Sequence, residues 1–305
     1  MLCAWPGMGE VAIKAATHFK DALQFKEFAR LEGPDYFEPS SIFVKNGVLE
    51  LPKPIGGVFW YYKNPKKPND IILFISDMQP NLGSGIAYAE EIVKFAAKYG
   101  VNLIYSFAAM SVPIDHTQPS SVWLATTSRK LLQLFKGLNL KMLNEGQISG
   151  LNGLILGVAK NKGMEGICLL GEIPIYTIQI ENPKASIAVL EVMDKHLNLG
   201  LDLKSLRERA KFVEEEINKL IGYIKGEIPP TGPLSEEDIE KIKKELSAFT
   251  KLTESARKKI EELFKLAAED LTKSAELKKE LDTWSVFKEY EDRFLDLFRR
   301  KKAGQ

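Results

Sequence analysis

"DIILFISDMQPNLGSGIAYAEEIVKFAAKYGVNLIYSFAA", Asp70 to Ala109, reads as a strand, a helix and a second strand. The runs "DIILFIS" (70–76) and "VNLIYSFAA" (101–109) are apolar almost throughout, the pattern of sheet strands covered on both faces. Between them Ile86, Ala89, Ile92, Val93 and Ala96 recur at helical spacing, and Gly100 stands where such a helix would end.

Outward from this unit, residues 1 to about 200 keep alternating short apolar runs with amphipathic stretches bounded by Gly and Pro, as a layered α/β domain requires. "GICLLG" (166–171) is a further strand, and "NPKASIAVLEVMDKHLNLG" (182–200) a further helix with Pro183 in its first turn. Leu203, Leu206, Ala210, Val213, Ile217, Leu220 and Ile224 then form a heptad seam over a helix at 203–225. The seam is about three heptads long, which suits docking on the chain's own core or helix pairing between subunits.

Composition changes at "GEIPPTGP" (226–233), where three prolines and two glycines oppose a continuous helix. The expected organisation is a core at 1–226, a Pro/Gly linker at 227–233 and a helical extension at 234–305. That extension carries 17 basic and 17 acidic residues among 72, with no Pro, and no Gly before Gly304. Ser235 is the expected N-cap, with Glu236, Glu237 and Asp238 in the first turn and Ile239, Ile242, Leu246 and Phe249 along one face. Trp284, Phe287, Tyr290, Phe294, Leu297 and Phe298 are a heavy aromatic load for so polar a segment, and they are the expected protein-interaction residues.

The 305 residues are 45% hydrophobic and 27% charged, with 42 Lys+Arg against 41 Asp+Glu and a formal charge of +1. No overall field steers the chain to nucleic acid or an anionic membrane, and neither is expected as a partner. Cys3 and Cys168 offer neither a disulfide framework nor a zinc site, and no metal site is expected. No run approaches the roughly 18 apolar residues of a membrane span, so a reducing cytoplasm is the expected compartment.

Candidate chemistry is sparse. "WPGMGEVA" (5–12) supplies Gly7 and Gly9 as G-x-G, with Ala12 in the third position and no acid placed for a ribose. The competing reading is a tight turn that lets a helix sit close to the sheet. "GQISGLNGLILGVAKNKG" lacks the lysine and hydroxyl of a phosphate loop, and Gly150, Gly153 and Gly157 are spaced to line one side of a closely packed helix. A helix start at Gly150 can still hold an anion. Asp77, Asp115 and Glu172 follow proposed strands, where a metal or acid/base site would sit if they converged; loop solvation or capping is the alternative. Gly7, Gly9, Gly150, Asp77 and Glu172 are therefore the cofactor-site candidates. No catalytic residue and no cofactor is assigned. His18 and His196 fall on helices, and His116 in "IDHTQP" is read as a loop histidine with a local hydrogen bond.

"AWPGMGEVAIKAA", "DMQPNLGSGIAYAEEIVKFAAKYGV", "EGQISGLNGLILGVAKNKGMEGICLLGEIP" and "NPKASIAVLEVM" occur in that order over about residues 4 to 225. Together they resemble the proteasome assembly chaperone family of the second-subunit type, in its archaeal and bacterial homologues. The resemblance implies a three-layer α/β/α core like that of nucleoside phosphorylases, homo-oligomerisation, and non-catalytic binding of proteasome subunits or a second chaperone-like protein. Such chains have also been labelled ATP-grasp-like, which makes a nucleotide- and Mg²⁺-dependent ligase the alternative. Two departures stand out. The chain ends "KKAGQ" rather than with a hydrophobic residue, a tyrosine and one final residue, and only "MLCA" precedes Trp5, so an incomplete amino terminus is expected.

Overall fold

The computed structural model describes residues 1–33, 35–37, 42–50, 55–65, 70–81, 83–225, 254–283, 290, 293–295 and 297–298. They belong to two compact units, Met1–Leu220 and Ile221–Gln305. The proline-rich stretch 227–233 and the helix expected from Ser235 lie outside the described residues.

The first unit is built on an eight-stranded mixed sheet. β1 (Leu2–Ala4), β6 (Ile71–Ile75), β7 (Leu103–Val112) and β10 (Glu165–Pro174) run parallel in its middle, in the order β6-β1-β7-β10. β5 (Ile55–Tyr62) and β2 (Lys26–Glu32) extend it antiparallel on one side; β8 (Val122–Thr126) and β9 (Lys141–Met142) extend it on the other. A separate hairpin, β3 (Phe43–Lys45) and β4 (Val48–Glu50), lies in the chain between β2 and β5.

Alternation along the central strands splits the core in two. Leu2, Ala4, Leu73, Phe107 and Leu169 face α1 (Val11–Ala22) and α4 (Pro183–Leu197). Cys3, Trp5, Phe74, Ala108 and Cys168 face α2 (Gly85–Lys98) and α3 (Leu151–Asn161). This period-2 switch of face is why those strands read as unbroken apolar runs: helices cover both sides. Full burial of each Leu or Phe contributes about 1.5–3 kcal/mol, so both filled layers stabilise the sheet.

Ile86, expected on the buried face of α2, is 60% exposed. The helix begins at Gly85, and a Cβ at that glycine would lie 3.2 Å from Leu154 Cδ2, so the backbone of the first turn meets α3 and the inward places pass to Tyr88, Ala89, Ile92, Val93 and Ala96. The glycine stripe of α3 is also corrected. Gly150 is the N-cap at φ +73°, a Cβ on Gly153 would strike the Ile148 carbonyl at 2.2 Å, and Gly157 faces open space. Close approach is instead required on β10, where a Cβ on Gly166 would meet Leu156 at 3.1 Å and one on Gly171 the Ala185 carbonyl at 2.7 Å.

α5 (Lys204–Lys225) buries Leu206, Ala210, Val213 and Ile217 of the heptad seam within this chain. Its polar side is fastened too: Arg207 pairs with Glu191 at 2.8 Å, Arg209 with Glu181, and Glu214 with Lys184.

The second unit contains helices Glu254–Glu269 and Ser274–Thr283. Ile260, Leu263, Phe264, Ala267, Leu277, Leu281 and Phe294 form its core, with Tyr290 and Leu297 packed against it. Arg293 bonds Glu261 through both terminal nitrogens, at 2.6 and 2.7 Å, and lies 4.2 Å from the Phe264 ring centroid. Among the described residues no helix is long and apolar enough to cross a membrane.

Candidate functional site

In an open α/β sheet a ligand sits outside the carboxyl ends of the strands, where the chain's crossovers diverge. Here that place is above β1, because α1 leaves β1 on one face while α2 and α3 occupy the other.

Side chains of the protein itself fill it. Trp5 donates its backbone N–H to Asn152 Oδ1 at 3.0 Å, and Asn152 Nδ2 donates to the Trp5 carbonyl at 3.0 Å. Ser106 Oγ donates to the Asn152 carbonyl at 2.6 Å. Gln79 Nε2 donates to the Pro6 carbonyl at 2.7 Å, while its Oε1 accepts from Leu151 N at 3.1 Å. Leu151 N opens α3, so the helix start that Gly150 made attractive for an anion already has an internal acceptor.

Gly7 lies beside this plug, with a Cβ there 3.5 Å from Asn152 Nδ2. Gly9 adopts φ +60°, and its added Cβ would meet Asn182 Cβ at 3.2 Å and Ile173 Cδ1 at 3.3 Å. Its N–H bonds the Ile178 carbonyl and its carbonyl accepts from Asn182 N, both at 2.7 Å. The turn uses its glycines to seat α1 against the loop before α4.

The three acids do not form one site. Asp77 is exposed in the turn after β6. Asp115 is exposed and accepts from Thr117 N and Oγ1, bonds that hold its carboxyl below the ordinary value. Glu172 lies inside β10 rather than beyond it and is 3% exposed. It accepts from Trp123 Nε1 at 2.7 Å, Lys141 Nζ at 2.6 Å and Ser121 N at 3.3 Å. Burial alone would raise its carboxyl, but those three donors bring it below the ordinary value. The result is a brace from β10 to the edge strands β8 and β9. Among the described residues, no group of three or more His, Cys, Asp or Glu is placed to hold a metal ion.

His116 is a loop residue, as the sequence indicates, but it is buried and the local hydrogen bond expected of it is corrected: its hydrogen-bond partners Tyr176, Lys184 and Asn218 lie 60 to 102 residues away. Its backbone N–H donates to Tyr176 Oη at 2.8 Å, Nδ1 lies 2.9 Å from the same hydroxyl, and Nε2 lies 3.0 Å from Asn218 Oδ1 on α5. Lys184 Nζ donates to its carbonyl at 2.7 Å. A cavity of about 860 Å³ lies at the opposite, amino-terminal end of the strands, lined among others by Leu2, Phe19, Tyr105 and Met193.

The comparison with protein families decides which family this α/β sheet belongs to. The PAC2 family model matches residues 1–221. The chain belongs to the PAC2 family. An uncharacterized protein of Methanocaldococcus jannaschii is 32% identical over 241 residues, which is 78% of this chain and 89% of that one. The crystal structure of Pyrococcus furiosus PbaB, an archaeal proteasome activator, superposes with a TM-score of 0.62 at 31% identity, over 72% of this chain and 91% of PbaB. PbaA of the same organism, an archaeal homolog of proteasome-assembly chaperone, shares the fold with a TM-score of 0.58 at 24% identity, over 74% of this chain and 88% of PbaA.

The expected interaction residues divide. Trp284 and Phe287 lie outside the described residues. Phe294 is buried in the helical unit, with Tyr290 and Leu297 packed beside it, while Phe298 is 41% exposed. Nothing in the linear pattern separates Phe298 from Phe294, four residues away on the same helix face with ring centroids 5.6 Å apart.

Proposed function

We propose that this PAC2 protein is a non-catalytic, chaperone-like scaffold that acts as a homo-oligomer and binds proteasome subunits or a second chaperone-like protein in the cytoplasm. The observation that carries the reading is the PAC2 match over residues 1–221. Likeness to an archaeal proteasome activator at 31% identity supports the choice of partner class. The occupation of the strand-end crevice by Asn152 and Gln79 favours a surface-borne function over an ATP-dependent one. In this reading the α/β core supplies the scaffold and the helical extension supplies partner contact, with Phe298 among its exposed apolar groups.

The test is sedimentation of the full chain with purified proteasome α-subunits, beside calorimetry with Mg·ATP. Co-sedimentation of chain and α-subunits without saturable nucleotide heat is expected. Saturable ATP binding abolished by Glu172→Ala or Asp77→Ala, together with no co-sedimentation, would reverse the conclusion.

A further inference from the structure

We propose that the amino-terminal end of the sheet carries a binding site for a small organic cation, an alkylammonium or alkylguanidinium whose head enters a box of Phe28, Tyr61 and Tyr99 beside the Asp70 carboxylate. The site stands apart from the chaperone-like reading and adds a ligand to the same core.

Three elements build the box. Phe28 on β2 is its floor, backed by Phe59 and Phe95 at centroid distances of 6.2 and 6.0 Å. Tyr61 on β5 and Tyr99 at the carboxyl end of α2 stand nearly upright on that floor, their planes at 83° and 80° to the Phe28 ring and their centroids 5.9 and 5.4 Å from it. The floor is held by the core, while the two walls are 40% and 55% exposed. All three rings line the cavity of about 860 Å³, a volume within the roughly 300–1,000 Å³ of small-molecule sites.

Charge selects the occupant. The face of an aromatic ring is the negative side of its quadrupole, so three rings around one space attract a cation. Tyr99 is the C-cap of α2 and adds the negative end of a helix dipole. Asp70 lines the same cavity two residues before Ile72, which pairs in register with Tyr61, so strand alternation places the carboxylate on the side of the box. Asp70 Oδ1 accepts from Asn64 N at 3.0 Å, a bond that orients the group and leaves its charge in place.

The chain's own cations stay out. Among the described residues no lysine or arginine lines the cavity; Lys26, in register with Tyr61, and Lys98, next to Tyr99 in sequence, are outside its wall. The cations that the chain does set over rings lie at Trp60, Trp123, Phe212 and Phe264, none of them in the box. The Met1 amine donates to the Leu103 carbonyl at 2.8 Å, and burial pushes it down to about 6, so it is mostly neutral at pH 7. One carboxylate among apolar walls is too few oxygens for a metal ion. From the box the cavity continues over Ile72, Leu103 and Met193, which suits a cation with an apolar body.

The test is calorimetric titration of the full chain with hexyltrimethylammonium and hexylguanidinium, with hexanol and hexanoate as controls of equal chain length and circular dichroism to confirm folding of each variant. Saturable binding of at least one cation is expected, with both controls weaker by about fivefold or more. Tyr99→Ala and Asp70→Asn are each expected to weaken the cation about fivefold, and Tyr99→Phe to stay within about twofold of wild type. Asparagine keeps an acceptor for Asn64 N, so the Asp70 variant reads charge rather than folding. No saturable binding of either cation, hexanol bound as tightly as the cations, or unchanged affinity in both Tyr99→Ala and Asp70→Asn overturns the site. A lysine-bearing peptide bound while neither small cation binds overturns the small-ligand assignment in favour of a protein partner.

Discussion

Asn152 and the backbone of Trp5 hold each other twice, by bonds of 3.0 Å in each direction, across 147 residues of chain. One carboxamide thereby fastens α3 to the end of β1 and occupies the ground above it. Replacing it by leucine strands a buried donor and a buried acceptor, each costing about 1–3 kcal/mol. Urea denaturation is expected to register a loss of about 2–4 kcal/mol for Asn152→Leu. A loss below half a kcal/mol would show that the pair is not part of the fold's support.

Gln79→Ala removes the acceptor of Leu151 N from a more exposed position. A cap of this kind contributes about 0.5–2 kcal/mol. Amide hydrogen exchange at the first turn of α3 is the sharper measurement, with faster exchange expected there and no change in the central strands.

Gly157 and Gly171 are expected to respond to alanine with opposite sign. Gly171→Ala drives a methyl against the Ala185 backbone, and overpacking of this kind costs about 1–3 kcal/mol. Gly157→Ala adds a methyl to open space in a helix and is expected to stabilise by about 0.5–1 kcal/mol. Thermal melts of the two variants against wild type decide it.

Acid is expected to loosen the β8–β9 edge. The Glu172 carboxyl would be raised by burial but is brought below 4.5 by Lys141, Trp123 and Ser121, and Glu181 behaves alike through Arg209 and Lys14. A lowered carboxyl contributes stability that is present above its ordinary value and is lost as pH falls through its folded value. Melting temperature should therefore drop below about pH 4.5, with a shallower drop in Glu172→Gln. Equal slopes in the two proteins would remove Glu172 from the account.

Much of the core was legible because its signals are local. The runs at 70–76 and 101–109 read as strands with two covered faces, and Pro183 in a first turn announced the start of α4, where the structure adds Asn182 Oδ1 accepting from Ala185 N. The edge strands β2, β5, β8 and β9 were not picked out, since half-exposed strands mix Lys, Glu and aromatics without a continuous run. The candidate site was legible as residues but not as an arrangement. Gly9 and Gly150 were recognisable positions of unusual backbone, yet only the partners Ile173, Asn182 and Gln79 tell what each glycine serves.

The sequence by itself determined the layered α/β class, the helical extension and the PAC2 resemblance, because periodicity, capping residues and ordered family segments are properties of neighbours along the chain. Tertiary structure alone decided that the strand-end crevice is plugged, that Glu172 is a brace between strands, and that Phe294 is covered while Phe298 is exposed. Each depends on groups tens to more than a hundred residues apart, such as Trp5 with Asn152 or His116 with Asn218, and distance in space is not written in local spacing.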